Sequence, residues 1–107
     1  MKKELRYDNR FGFAKYAKAY WIFTENRVGE QFVFSFPKGV TVSVIRSCSW
    51  DYEGVKMGFA MDSSYGFIAG LYEALVWDRY GKPIVEAQCL DHTQVHSLLS
   101  RCQSKWG

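Results

Sequence analysis

The stretch Gly70–Leu90, GLYEALVWDRYGKPIVEAQCL, holds two apolar runs, Leu71–Trp77 and Ile84–Leu90, on either side of Asp78-Arg79-Tyr80-Gly81-Lys82-Pro83. Gly81 can take the positive φ of a short hairpin loop, which predicts a three-residue connection with a type I turn and a Gly bulge. In that register Val76 faces Ile84, Ala74 faces Glu86 and Tyr72 faces Gln88. Leu71, Leu75 and Trp77 then share the opposite face with Val85, Ala87 and Cys89. That second face is apolar except for Glu73, so it is the one expected to be covered.

The cover is the segment that follows. Asp91 can cap a helix, with Gln94 three residues on to complete a capping box, and Leu90 and Val95 can form a hydrophobic staple. Val95, Leu98, Leu99, Cys102 and then Trp106 recur at helical spacing and make one apolar stripe. Arg101 and Lys105 lie in the last turns, at the negative end of the helix dipole.

Toward the N-terminus, Gln31–Phe36 alternates Phe32, Phe34 and Phe36 with Gln31, Val33 and Ser35. Pro37-Lys38-Gly39 is a tight turn, and Val40–Ile45 answers with Val40, Val42 and Val44 on one face. Phe11–Phe23 reads as irregular or helical to about Ala17, then as a strand to Thr24. Ser47–Gly54 reads as a loop that displays Trp50 and Tyr52, Val55–Met61 as a short strand and Asp62–Gly66 as a turn. The chain is therefore expected to be one α+β domain over residues 1–107. It has an antiparallel sheet of about five strands, with one C-terminal helix packed on one face. Residues 1–10 are expected to form a mobile basic lead-in.

Hydrophobic content of 48% with 23% charged residues is that of a chain that folds. No apolar run approaches the roughly 18 residues of a membrane span, and Met1-Lys2-Lys3-Glu4-Leu5-Arg6 lacks the pattern of a secretory signal. A cytoplasmic setting is expected, with no membrane partner and the three cysteines reduced. Residues 1–20 carry six basic side chains against Glu4 and Asp8. That asymmetry permits an anionic partner at the N-terminal segment. Residues 21–107, with eight basic and nine acidic side chains, are expected to add no basic surface.

No motif specifies catalysis. Cys89, His92, His96 and Cys102 are the candidate zinc donors, but Cys102 belongs to the Val95/Leu99 stripe and His96 points about 100° away from Val95. No metal or other cofactor is expected. Cys89 beside His92 lacks any sign of an oxyanion hole, and neither a phosphate-binding Gly-rich loop nor a paired acidic motif is present. Glu73 can be a paired structural carboxylate, bound to Arg46, a Tyr hydroxyl or a turn amide, or an acidic site residue of raised pKa. Arg6, Arg10, Lys15, Lys18, Tyr20, Trp21, Trp50 and Tyr52 are the candidate partner-binding residues, because contact surfaces favour Trp, Tyr and Arg. Basic side chains interleaved with aromatics also describe a single-strand nucleic-acid groove. Aromatics that simply cover a small sheet are a third reading of the same pattern.

Several short motifs recur in one order: Phe36-Pro37-Lys38-Gly39, Ser43-Val44-Ile45-Arg46, Ser64-Tyr65-Gly66, Gly70-Leu71-Tyr72-Glu73-Ala74, the Asp78…Gly81 turn and a closing helix with Val95, Leu98 and Leu99. Across roughly residues 34–102 the chain resembles small, uncharacterised phage accessory proteins. It departs from them in a longer segment between Arg46 and Ser64 and in Leu90-Asp91-His92-Thr93 at the helix start. The resemblance implies a phage-encoded protein expressed to act on the host. With the small size and the lack of catalytic motifs, the expected function is non-enzymatic binding and inhibition of a host protein. An anti-defence, anti-CRISPR-like inhibitor in the host cell cytoplasm fits, as monomer or homodimer. The alternative is a nucleic-acid-binding accessory protein using the basic, aromatic N-terminal segment.

Overall fold

A computed structural model describes residues 2–23, 27–49 and 71–107. These form an α+β fold. Six strands, β1 (Lys2–Leu5), β2 (Ala17–Phe23), β3 (Arg27–Ser35), β4 (Thr41–Ser49), β5 (Tyr72–Trp77) and β6 (Pro83–Leu90), precede one C-terminal helix, α1 (His92–Trp106). The strands make one antiparallel sheet in sequence order, β1 to β6. The sixth strand is β1: residues expected in a mobile lead-in instead pair with β2, Lys3 opposite Ile22 and Leu5 opposite Tyr20.

Strand alternation puts Tyr20, Phe32, Phe34, Val42, Val44, Tyr72, Ala74 and Val76 on one face, where all are buried. Two covers seal it. Over β5 and β6 lies α1, which buries Val95, Leu98, Leu99 and Cys102 and leaves Trp106 half-buried at the rim. Its start is the expected capping box, in which the Gln94 amide donates to the Asp91 carboxylate and the Asp91 amide donates to Gln94 Oε1, each at 2.8 Å. Over β2 to β4 lies the chain before β2. Phe11 packs edge-on against Phe32 and Tyr72, Tyr7 against Phe34, and Tyr16 tilts over Phe36 at 4.6 Å. The Tyr7 hydroxyl holds that chain in shape, donating to the Gly12 carbonyl at 2.7 Å and accepting from the Phe11 amide at 2.9 Å. Phe11 meets His92, and Phe13 meets His96, along the seam between the two covers. Each large apolar side chain sealed this way contributes roughly 1.5–3 kcal/mol.

The β5–β6 hairpin departs from its expected register by one residue. The turn itself is the three-residue connection expected: the Asp78 amide donates to the Lys82 carbonyl, the Gly81 amide donates to the Asp78 carbonyl with Gly81 at φ 79°, and Asp78 Oδ1 accepts from the Tyr80 and Lys82 amides. Trp77 pairs with Pro83, the register expected, but the ladder then shifts between Val76 and Trp77, so that Val76 pairs with Val85 and Ala74 with Ala87. A one-residue slip exchanges faces. Val85 and Ala87 accordingly join Tyr72, Ala74 and Val76 under the helix. Leu75, Trp77 and Glu73 lie on the other face and are half-buried. A second irregularity, with Cys89 at φ 58°, turns Leu90 back opposite Tyr72.

At the β3–β4 turn, Gly39 has φ +85°, and a β-carbon there would stand 2.8 Å from Cβ of Arg79. That glycine lets the two hairpin turns touch.

Leu99 lies at the centre of the sealed face, fully buried. Leu99→Ala is expected to cost about 2–5 kcal/mol in chemical denaturation. His96→Ala, at an exposed ring edge against Phe13, is expected to cost less than about 1 kcal/mol. Equal losses would mean that the helix faces are assigned wrongly.

Candidate functional site

Two groups of polar side chains stand apart from the core. The first is buried. Glu30, 7% exposed, follows the parity of Phe32 and Phe34 onto the sealed face, and its register partner across β4 is Arg46. Its Oε1 accepts from the Tyr20 hydroxyl at 2.7 Å, and its Oε2 accepts from Arg46 at 2.8 Å and from Arg10. Arg10 also donates to the Tyr72 hydroxyl at 3.2 Å and to Asp8 at 3.0 Å, and its guanidinium lies 5.0 Å from the Phe32 ring centre.

Burial pushes the Glu30 carboxyl up, yet Arg10, Tyr20 and Arg46 together hold it below the usual carboxylate range. Burial, and then the bond to Glu30, push the Tyr20 hydroxyl up to about 12. Desolvation opposes the charge on Arg10, but Glu30 and Tyr72 more than offset it and raise its pKa. Neither Glu30 nor Tyr20 is brought near neutrality, so neither is poised for proton transfer at pH 7. The cluster ties the N-terminal cover to β2, β3, β4 and β5.

This changes the reading of two candidate contact residues. Arg10 and Tyr20 belong to the cluster, and Tyr20 is buried rather than displayed. Arg6, Lys15 and Lys18 are exposed, and Trp21 is half-buried on the opposite face of the sheet. Trp50 and Tyr52, like the strand expected at Val55–Met61, lie outside the described residues. Glu73 does not share the covered face as expected; the buried carboxylate that meets Arg46 is Glu30. Period-two alternation with Phe32 was the signal that could have found it. Among the described residues no three His, Cys, Asp or Glu side chains converge on a point that could hold a metal ion.

The second group is exposed. The Lys38 amide donates to the Trp106 carbonyl at 3.2 Å, joining the β3–β4 turn to the end of α1. Arg79 lies against Gly39, and Gln103 reaches the hydroxyl of Tyr16, which closes a 3₁₀ turn over Ala14–Tyr16. One end of the molecule thereby gathers Lys15, Lys38, Arg79, Lys82, Arg101 and Lys105, all exposed. None of the six makes an ion pair among the described residues. The one acidic side chain on these segments is Asp78, which accepts turn amides. Elsewhere the described residues hold seven basic and six acidic side chains, so the net positive charge of the described residues is concentrated at this end. The expectation that residues 21–107 add no basic surface is thus overturned. Tyr80, 84% exposed, stands at the same end beneath Arg79, and Lys105 lies 5.1 Å from the Trp106 ring centre.

Removing the Glu30 charge leaves two guanidinium groups facing a neutral amide, and breaking a buried pair this way costs about 3–5 kcal/mol. Glu30→Gln is expected to lose that much at pH 7. Because the folded-state pKa of Glu30 is depressed, its contribution is complete above the unfolded carboxylate value of about 4.3 and is lost as pH falls through the folded one. Denaturation at a series of pH values should therefore show the two proteins converging below about pH 4. A gap that stays constant into acid would refute the assignment.

Comparison with protein-family models, with curated proteins and with solved structures gives no match.

Proposed function

We propose that the chain is a phage-encoded, non-enzymatic protein that binds and inhibits a host protein, and that its cationic end meets that partner. The phage origin and the inhibitory role come from the motif resemblance. The observation that supports a binding role is the gathering of six exposed cationic side chains from four separate segments at one end. Like charges gathered this way repel one another, which costs the isolated fold, whereas they steer and hold an anionic partner.

A polyanion such as single-stranded nucleic acid is the competing partner, favoured by Tyr80 and Trp106 among the cations. Stacking platforms need ring faces free for bases. Here Trp106 is half-buried with Lys105 over its ring. Among the described residues at this end, that leaves Tyr80 as a single exposed ring where a track of stacked bases uses several, and this favours an acidic protein surface.

Kinetics separate the two. With a captured host protein, Lys38→Ala, Lys82→Ala and Lys105→Ala together are expected to slow association about tenfold at low salt and leave dissociation within about twofold. If nucleic acid is the partner, affinity for single strands should fall with salt at a log–log slope of about −0.7 per phosphate contact, and the triple variant should flatten it by about two. That second pattern, with no protein retained from host lysate, would overturn the proposal.

A further inference from the structure

Along its outer side α1 does not close onto the sheet. Two adjoining clefts, of about 180 and 210 Å³, run between the helix and β6 and share Val85, Leu98 and Arg101. The sequence explains the gap. On β6 the side chains that face the helix are the small Val85 and Ala87, and the helix positions above them are Gln94 and Ser97. Of the apolar stripe, Leu98 lines both clefts and Cys102 one. At the far end the floor continues to Trp106, and Lys105 joins Arg101 on the rim.

We propose that this groove is a docking site for an acidic segment of a partner protein, with a large apolar side chain seated on Val85 and Leu98 and flanking carboxylates on Arg101 and Lys105. The inference rests on the host-protein reading and adds the place and the chemistry of the contact. Charge selects the occupant. Arg101 lines both clefts and Lys105 one, both exposed, and no carboxylate lines either. The groove opens onto the cationic end, so the field that steers an acidic partner there also delivers it to an apolar floor. An apolar cavity of roughly 150 Å³ accepts a benzene ring, so each cleft has room for one Leu or Phe side chain. A second copy of the chain, which carries the same net charge of +3, is the poorer occupant. Few exact side chains and an apolar anchor are the usual terms of peptide recognition in a groove.

The probe is a displayed library of random dodecapeptides selected on the full-length protein. Enriched peptides are expected to carry one large apolar residue between Asp or Glu. Binding should shift the methyl resonances of Val85 and Leu98 and the indole of Trp106. Arg101→Glu with Lys105→Glu, at exposed positions, should weaken binding at least tenfold with the fold retained, melting falling only by the lost helix-dipole contacts. Ser97→Trp, which fills the cleft without touching charge, should do the same. Basic or uncharged peptides, shifts elsewhere, or affinity indifferent to both variants would overturn the groove. Capture from host lysate separates this from the reading beneath it. A host protein held equally by wild type and the charge-reversed variant leaves that reading standing and removes the groove. Acidic peptides that select as expected, with no host protein retained, uphold the groove and remove the host partner.

Discussion

Glu30 is a carboxylate inside an apolar face, and the way its charge is met ties the sheet to its cover. Placing such a group out of water costs several kcal/mol unless charge and hydrogen bonds answer it. Here the answers come from separate parts of the chain: Tyr20 on β2, Arg46 on β4, and Arg10 from the segment before the 3₁₀ turn. Arg10 in turn binds Tyr72 on β5. An apolar residue at position 30 would bury as well, but it would not tell Arg10 where to sit. The ion cluster thus fixes where the N-terminal cover lies on the sheet, and Phe11 and Tyr7 pack in the place it defines.

What the sequence made legible were the elements whose period is undisturbed. Phe32, Phe34 and Phe36 against Val40, Val42 and Val44 alternate without a break, and both rows are buried. The helix was readable to its cap, because Asp91, Gln94 and the stripe from Val95 to Cys102 are all local signals. The last hairpin was not. One irregular step beside Trp77 changes the partner of every residue beyond it, and nothing local marks that step. The apolar content of both faces compounds this: Leu75 and Trp77 look as fit for a core as Ala74 and Val76. β1 was missed for a related reason. Lys2-Lys3-Glu4-Leu5 has almost no apolar pattern, and its place comes from pairing with β2, which is a long-range fact.

The cationic end was illegible for a different reason. Its charges lie at positions 15, 38, 79, 82, 101 and 105, so no window of sequence shows a cluster. Topology assembles them. In an antiparallel meander alternate turns fall at the same end, so the β3–β4 and β5–β6 turns meet there. The last turn of α1 comes to rest against the first of them. Counting charge along the chain therefore pointed to residues 1–20, of which Arg10 is spent internally on Glu30 and Asp8. A charge count becomes a surface argument only after the strand order is known.

The sheet edges bear on how such a surface can be used. An open strand edge invites pairing with another chain, and natural sheets blunt it with short strands, charges, proline and bulges. β1 is four residues long and carries Lys3 and Glu4 exposed. β6 begins at Pro83, which has no amide to donate, is irregular near both ends, and exposes Glu86. Backbone pairing at either edge is thereby discouraged. Side chains are then the means of contact for the proposed partner, and among the described residues Arg101 and Lys105 stand exposed beside the apolar Val85 and Leu98. The bulge that displaced the hairpin register is what brings Val85 under the helix. The step that hid the fold from the sequence also supplies half of the groove.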